Sequence, residues 1–285
     1  MNYRHAFHAG NFADVVKHAV LALLIERLKA KDTAFRVIDT HAGIGLYDLA
    51  ADEATRTGEW REGIGRIWGR ALDPALADLL RPYLDAVAAA NGAPPPAPLT
   101  RYPGSPWIAR HLFRRKDRLT AVELHPDDAE ALAQQFAGDI QVRTIALDGW
   151  LALGAFVPPK ERRGLVLVDP PFEERDEFER MLASFFAAHR KWPTGIYALW
   201  YPVKDLAGVD RLRIGLSKSG IRRLIRAELT VRDRDTPATF NGTGLVVCNP
   251  PWQFAETLEA LLAGLALLLA QGPGAGHVID VITGE

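Results

Sequence analysis

Apolar positions along this chain alternate between two spacings. From residue 12 to 30, Val15, Val16, Ala19, Val20, Leu23, Leu24 and Leu28 recur at helical steps. Short apolar runs follow, and four of them stop at an acid: 35–39 at Asp39, 119–123 at Glu123, 141–148 at Asp148 and 165–169 at Asp169. A fifth, 196–201, is stopped by Pro202. Helical spacing returns at 126–137, 174–190 and 204–219. Buried strands alternating with helices predict an α/β chain with a mostly parallel, doubly wound, Rossmann-like sheet covered on both faces.

Two stretches break that rhythm. The interval from Gly45 to Leu119 far exceeds the ~30 residues of a strand–helix–strand unit. Its residues 50–90 are helical in pattern and lead into Asn-Gly-Ala-Pro-Pro-Pro-Ala-Pro, a stiff polyproline-like connector. The expectation is a single domain over 1–285 with an inserted helical subdomain at 50–102. The delayed crossover helix then opens at Gly104-Ser105-Pro106, with Ser105 as N-cap and Pro106 at the first helical position. Near the end, 225–231 and 244–248 are joined by a polar, Gly-containing loop without a full crossover helix. They predict an antiparallel hairpin at the sheet edge, followed by a helix at 253–270 and a short strand at 277–283.

The 285 residues carry 34 basic and 35 acidic side chains, so net charge announces no nucleic-acid partner and any basic footprint must be local. Candidate runs are Arg61, Arg66 and Arg70 around Trp68, then 110–118, 160–163, 189–191 and 222–226. Cys248, the only cysteine, sits in Gly-Leu-Val-Val-Cys and reads as a small buried hydrophobe, which excludes a disulfide framework within the chain. His5, His8, His18 and His41 lack the spacing of a metal motif, and no metal is expected. No secretory signal is evident, and the longest apolar stretch, 258–269, is too short for a membrane span. The expectation is a cytoplasmic monomer with no membrane partner.

Candidate chemistry begins at Asp169-Pro-Pro-Phe172. The prolines have no N–H for a strand ladder, so the chain leaves the sheet stiffly, holding a carboxylate, a proline carbonyl and a ring together. That set suits a planar base with an exocyclic amino group. A second copy, Asn249-Pro-Pro-Trp252, is demoted by strand direction. With 225–231 running up, 244–248 runs down and releases it at the opposite end, with Trp252 expected in the core. Ligands of an open parallel sheet bind at the carboxyl ends of its strands, where Asp39, Glu123, Asp148 and Asp169 meet. Glu123 suits two ribose hydroxyls, and Asp148-Gly149 an adenine amino group, with Gly149 permitting close backbone approach. The turn Asp39-Thr-His-Ala-Gly-Ile-Gly45 is no Gly-x-Gly-x-x-Gly cradle. Its acid opposes a pyrophosphate and suits an ammonium or sulfonium, which favours S-adenosylmethionine over NAD.

These segments resemble, in order and nearly end to end, the RlmJ family of 23S ribosomal RNA adenine-N6 methyltransferases. The resemblance is carried by Asn2-Tyr-Arg-His-Ala-Phe-His-Ala-Gly, Asp39-Thr-His-Ala-Gly, Tyr102-Pro-Gly-Ser-Pro, Glu123-Leu-His-Pro, Asp148-Gly and Asp169-Pro-Pro-Phe. It continues through Gly195-Ile-Tyr-Ala-Leu-Trp-Tyr-Pro and Asn249-Pro-Pro-Trp. It implies a class I methyltransferase with a helical insertion, S-adenosyl-L-methionine as cofactor and 23S ribosomal RNA as partner. It also implies that His18, His41, Ser105, Glu123, Asp148 and Gly149 line the cofactor, that Asp169 is catalytic, and that Tyr3 contacts RNA. His5, Lys17 and Phe172 join Tyr3 as candidate substrate residues. Phe172 stands where the family commonly has Tyr, so stacking is expected without the hydroxyl.

The expected reaction is methyl transfer to an adenine N6. Asp169 and the Pro170 carbonyl accept its two hydrogens and free the nitrogen lone pair, while Phe172 stacks on an unstacked base. The motif alone leaves open a DNA adenine-N6 methyltransferase, a glutamine-amide methyltransferase, a non-catalytic RNA-binding module and an NAD-linked oxidoreductase.

Overall fold

The protein is seen in a computed structural model that describes residues 5–174, 176–236 and 240–284. A 3-10 turn, His5–Phe7, leads into helix α1, Phe12–Lys29. Asn11 caps α1, its side-chain oxygen accepting from the backbone N–H groups of Ala13 and Asp14. The helix is buried on nearly every face, which fits its unbroken apolar run from Ala19 to Ile25.

The strands of the main sheet are β1 (Arg36–Asp39), β4 (Arg118–Glu123), β5 (Val142–Ala146), β6 (Gly164–Val168), β7 (Ile196–Val203), β8 (Leu224–Thr230), β9 (Gly242–Cys248) and β10 (Gly276–Thr283). A separate two-stranded ladder pairs β2 (Leu46–Asp48) with β3 (Arg101–Pro103). The main sheet has the order β10-β8-β9-β7-β6-β1-β4-β5. Its half from β5 to β7 is parallel, and β9, β8 and β10 are joined antiparallel. The central strands are buried on both faces. Val37, Leu165 and Leu167 join the core beneath α1, whereas Ile38, Val166 and Val168 join the opposite core.

Helices α2 (Asp52–Thr57), α3 (Pro74–Asn91), α4 (Ser105–Leu112) and α9 (Phe254–Leu269) accompany α1 in the order of the chain. Of these, α3, α4 and α9 pack on the α1 side through Leu80, Val87, Ile108 and Leu262. The other face carries α7 (Glu177–Lys191) and α8 (Leu206–Ser217), through Phe185 and Leu212. Two further helices, α5 (Pro126–Gln135) and α6 (Gly149–Ala155), follow β4 and β5.

Four expectations are revised. Residues 50–90 are not helical throughout: between α2 and α3 lie two 3-10 turns, Glu59–Glu62 and Ile64–Arg66. Gly58 and Gly69 adopt positive φ there, and a Cβ on Gly63 would lie 2.1 Å from the Gly10 carbonyl oxygen, so the glycines interrupt the helix to let this segment meet the start of α1. Gly104, not Ser105, is the N-cap of α4, and Ser105 stands at the first helical position, where it lowers the pKa of the nearby Asp39. The hairpin β8–β9 forms with the expected directions, but β10 pairs with β8 and takes the sheet edge. Asn249-Pro-Pro-Trp252 does emerge at the bottom, where the Asn249 amide donates to the carbonyls of Pro193 and Gly195. Trp252, however, is 80% exposed. Left-handed Asn249 turns the chain out of the sheet, and Phe254 is the aromatic that re-enters the core.

This exchange is testable. Trp252→Ala is expected to change unfolding free energy by less than about 0.5 kcal/mol. Phe254→Ala is expected to cost about 3–5 kcal/mol, and denaturant titration distinguishes the two.

Candidate functional site

A cleft of about 350 Å3 opens at the carboxyl ends of β1, β4 and β6 and the start of α6. It gathers His5, Lys17, His18, His41, Ser105, Glu123, Asp148, Gly149 and Asp169 from segments distant in the chain. Tyr3 lies outside the described residues. Seven carboxylates line the cleft against Lys17 and Arg180, a balance that attracts a cation and repels a pyrophosphate.

A buried chain of charges forms one wall. The Lys17 ammonium bridges Asp14, one turn earlier on α1 at 2.8 Å, and Asp169 at the end of β6. His5 Nε2 meets the same Asp14 carboxylate at 2.9 Å, and the Gly10 N–H donates to it. Burial pulls the Lys17 pKa down, but Asp14 and Asp169 outweigh it and hold the ammonium charged. Burial likewise raises Asp14, yet His5, Lys17 and His18 bring its carboxyl well below the usual range. Asp169 thus has one oxygen, Oδ2, engaged by Lys17, while Oδ1 has no partner among the described residues.

The cofactor-side residues are held by local backbone geometry. Glu123 Oε2 accepts from the Gly43 N–H, and Oε1 from the N–H groups of Leu124 and His125, each at 2.8 Å. These bonds fix the carboxylate at the rim and leave lone pairs for a diol. Asp148 Oδ1 caps α6 through the Trp150 N–H, and Oδ2 lies 3.7 Å from the Arg180 guanidinium. His18 Nδ1 is bonded to the Tyr102 hydroxyl at 2.8 Å, and His41 Nδ1 to Thr40 Oγ1 at 2.8 Å. Burial keeps both imidazoles neutral, with His41 lowered to about 3, aided by Arg180.

Two of the expected residues are constrained by the protein itself. Gly149 is required by its own protein: a Cβ there would lie 2.2 Å from the Thr40 carbonyl oxygen and 2.7 Å from His41 Nε2. Asp39 does not line the cleft. It is 1% exposed beneath it, with Oδ2 unpartnered, and burial raises its pKa to about 7 despite the Ser105 hydrogen bond.

Phe172 has a positive φ, unusual for a bulky residue, and packs on Phe178 and edge-on to Trp200, with ring centroids 4.8 and 5.8 Å apart. Trp200 is half-buried and its ring lies 5.6 Å from the Lys17 ammonium. Trp200, Asp14, Tyr47 and Arg180 are site residues that sequence reasoning did not single out. Asp14 was within reach, since it stands one turn before Lys17 on a helix that carries no other acid before Glu26.

The basic runs lie elsewhere. Arg114 is consumed by Asp117 and by the carbonyls of Lys29, Lys31 and Thr33, Arg163 by those of Leu28 and Thr33, and Arg226 by Glu228 and Asp280. Arg66 binds Glu62 and the Ala270 carbonyl, and His8 pairs with Glu59. Cys248 is fully buried, which pushes its thiol up to about 12.

Residues 32–282 match the profile of the family described as "Ribosomal RNA large subunit methyltransferase D, RlmJ". The ribosomal RNA large subunit methyltransferase J of Escherichia coli K12 is 41% identical over 277 residues, covering 97% of this chain and 96% of that protein. Its Haemophilus influenzae namesake is 39% identical over the full length of both. The crystal structure of protein LPL1258 from Legionella pneumophila superposes with a TM-score of 0.87 at 32% identity, over 96% of this chain and 98% of that one. A cleft built on strand-end carboxylates, an Asp-Pro-Pro-Phe exit and a profile match across most of the sequence converge on one assignment: the chain belongs to the RlmJ family of ribosomal RNA large subunit methyltransferases.

Proposed function

We propose that this protein is an S-adenosyl-L-methionine-dependent methyltransferase acting on the exocyclic N6 of an adenine in 23S ribosomal RNA, as a cytoplasmic monomer on naked or early-assembly RNA. One observation carries the reading. Asp169 faces the cleft with Oδ2 engaged by Lys17 and Oδ1 open among the described residues, so a single carboxyl group is at once oriented and left with an acceptor.

The residues fit the cofactor. Glu123 presents a fixed carboxylate to two ribose hydroxyls, Asp148 an acceptor to the adenine amino group, and the acidic lining favours a cation. When bound, S-adenosylmethionine supplies an electrophilic methyl group on a sulfonium. Asp169 Oδ1 then accepts one N6 hydrogen of the target base, and the Pro170 carbonyl accepts the other. Accepting both hydrogens draws the nitrogen towards tetrahedral geometry and frees its lone pair for in-line attack. Lys17 orients the carboxylate. Phe172 and Trp200 supply the aromatic surface beside it, where a stacked base is worth ~1–3 kcal/mol.

Asp169→Ala is expected to fold and to bind S-adenosylhomocysteine by calorimetry. It is expected to lose methyl transfer by at least about 10²-fold, read as N6-methyladenine by mass spectrometry. Full activity in this variant overturns the mechanism. Gly149→Ala is expected to weaken S-adenosylhomocysteine binding at least about tenfold, because its methyl forces the α6 cap away from Thr40 and His41. Unchanged affinity would show that the close approach is dispensable.

Asp39 gives a pH dependence of stability. Its folded-state pKa is raised to about 7, whereas the unfolded chain ionises near the ordinary Asp value. Its contribution to stability is therefore complete below that ordinary value and is lost as pH rises through about 7. Asp39→Asn is expected to raise the melting temperature more at pH 8 than at pH 4. A constant offset across that range would contradict the burial of an ionising carboxyl.

A further inference from the structure

A second groove lies at the far end of the sheet from the cleft. Its volume is about 420 Å3, and it is walled by the starts of β4 and β5 and by residues 155–160 after α6. Its charge reverses that of the cleft. Arg36, Arg118, Arg143 and Lys160 line it, and no Asp or Glu is among its described lining residues.

The neighbouring carboxylate, Glu161, is engaged by Arg36 through Nε and Nη2, both at 2.9 Å. The other three cations form no salt bridge among the described residues. Arg118 donates to the backbone carbonyls of Arg115 and Asp117. Arg143 lies over the Phe156 ring at 5.8 Å, and Lys160 is exposed.

Arg118 is attracted to Glu161 through space, whereas Arg143 and Lys160 have no carboxylate partner among the described residues, and the chain's near-neutral net charge of −1 does not require these cations at one place. Guanidinium groups match phosphate oxygens, and an arginine beside an aromatic ring is a surface on which an unpaired base stacks. We infer that this groove binds a phosphodiester segment of the substrate RNA outside the reaction cleft. The inference rests on the RNA methyltransferase reading above. β4, with six residues, spans about 20 Å, so the groove engages nucleotides flanking the target adenine rather than the adenine itself.

The test compares two RNAs with the full-length protein: a short hairpin carrying the methylated adenine, and a long 23S fragment containing it. The variant Arg143→Gln/Lys160→Gln changes two exposed side chains, and its melting temperature checks the fold. It is expected to methylate the short hairpin at the unaltered rate. Its affinity for the long fragment is expected to fall at least tenfold at low salt. The slope of log affinity against log salt is expected to shrink by about 1.5, two phosphate contacts at ~0.7–0.9 each.

Unchanged affinity and slope for the long fragment overturn the inference. Equal weakening of both RNAs also overturns it, because that is the effect of a general field rather than of a remote site. If the unaltered protein methylates neither RNA, the functional reading itself fails, and that result comes from the wild-type arm alone.

Discussion

The Lys17 ammonium, taken out of water between Asp14 and Asp169, is the interaction on which the cleft depends. Burying an ammonium costs several kcal/mol unless its charge is met, and here two carboxylates from separate elements meet it. Asp14 comes from the same helix and Asp169 from the end of β6, so the pair fastens α1 to the strand end where the chemistry is assigned. Removing one partner leaves the others buried and uncompensated, a loss of about 3–5 kcal/mol. His5 extends the chain of charges to the N-terminal turn, which is thereby drawn over the cleft beside Tyr47.

The same wall divides the work of the carboxylates. Asp169 sits beside the Lys17 ammonium and has an oxygen to offer. Asp39, close by but fully desolvated, holds its proton to about pH 7 and hydrogen-bonds to Ser105. Two acids at adjacent strand ends therefore meet different surroundings: Asp169 has the Lys17 ammonium in contact, whereas burial dominates at Asp39. Neutral His18 and His41 add no positive charge to the pocket, leaving Lys17 and Arg180 as its fixed cations. The molecule is polarised, with acids at the carboxyl ends of the strands and a basic groove at their starts.

Much of this was legible in the sequence. Strand-ending acids, helical spacing between them and the Asp-Pro-Pro-Phe exit define the parallel sheet and the edge at which ligands bind. Strand direction separates the two Pro-Pro copies, because an antiparallel hairpin must return its second strand to the bottom. Local patterns failed where long-range contacts decide. Glycines at 58, 63 and 69 broke the insertion into turns because it had to meet α1. Ser105 took the first helical position, near Asp39, and left the cap to Gly104. Trp252 went to solvent because Asn249 took a left-handed turn.

Strand directions, the cleft's position and most of its lining follow from period, proline and chain direction, and so are written in local spacing. The pKa shifts of Lys17, Asp39 and His41, and what Phe172, Trp200 and the basic runs touch, come instead from three-dimensional packing. Burial and the proximity of residues such as Lys17 and Asp169, far apart in the chain, set those properties, and neither is written in local spacing.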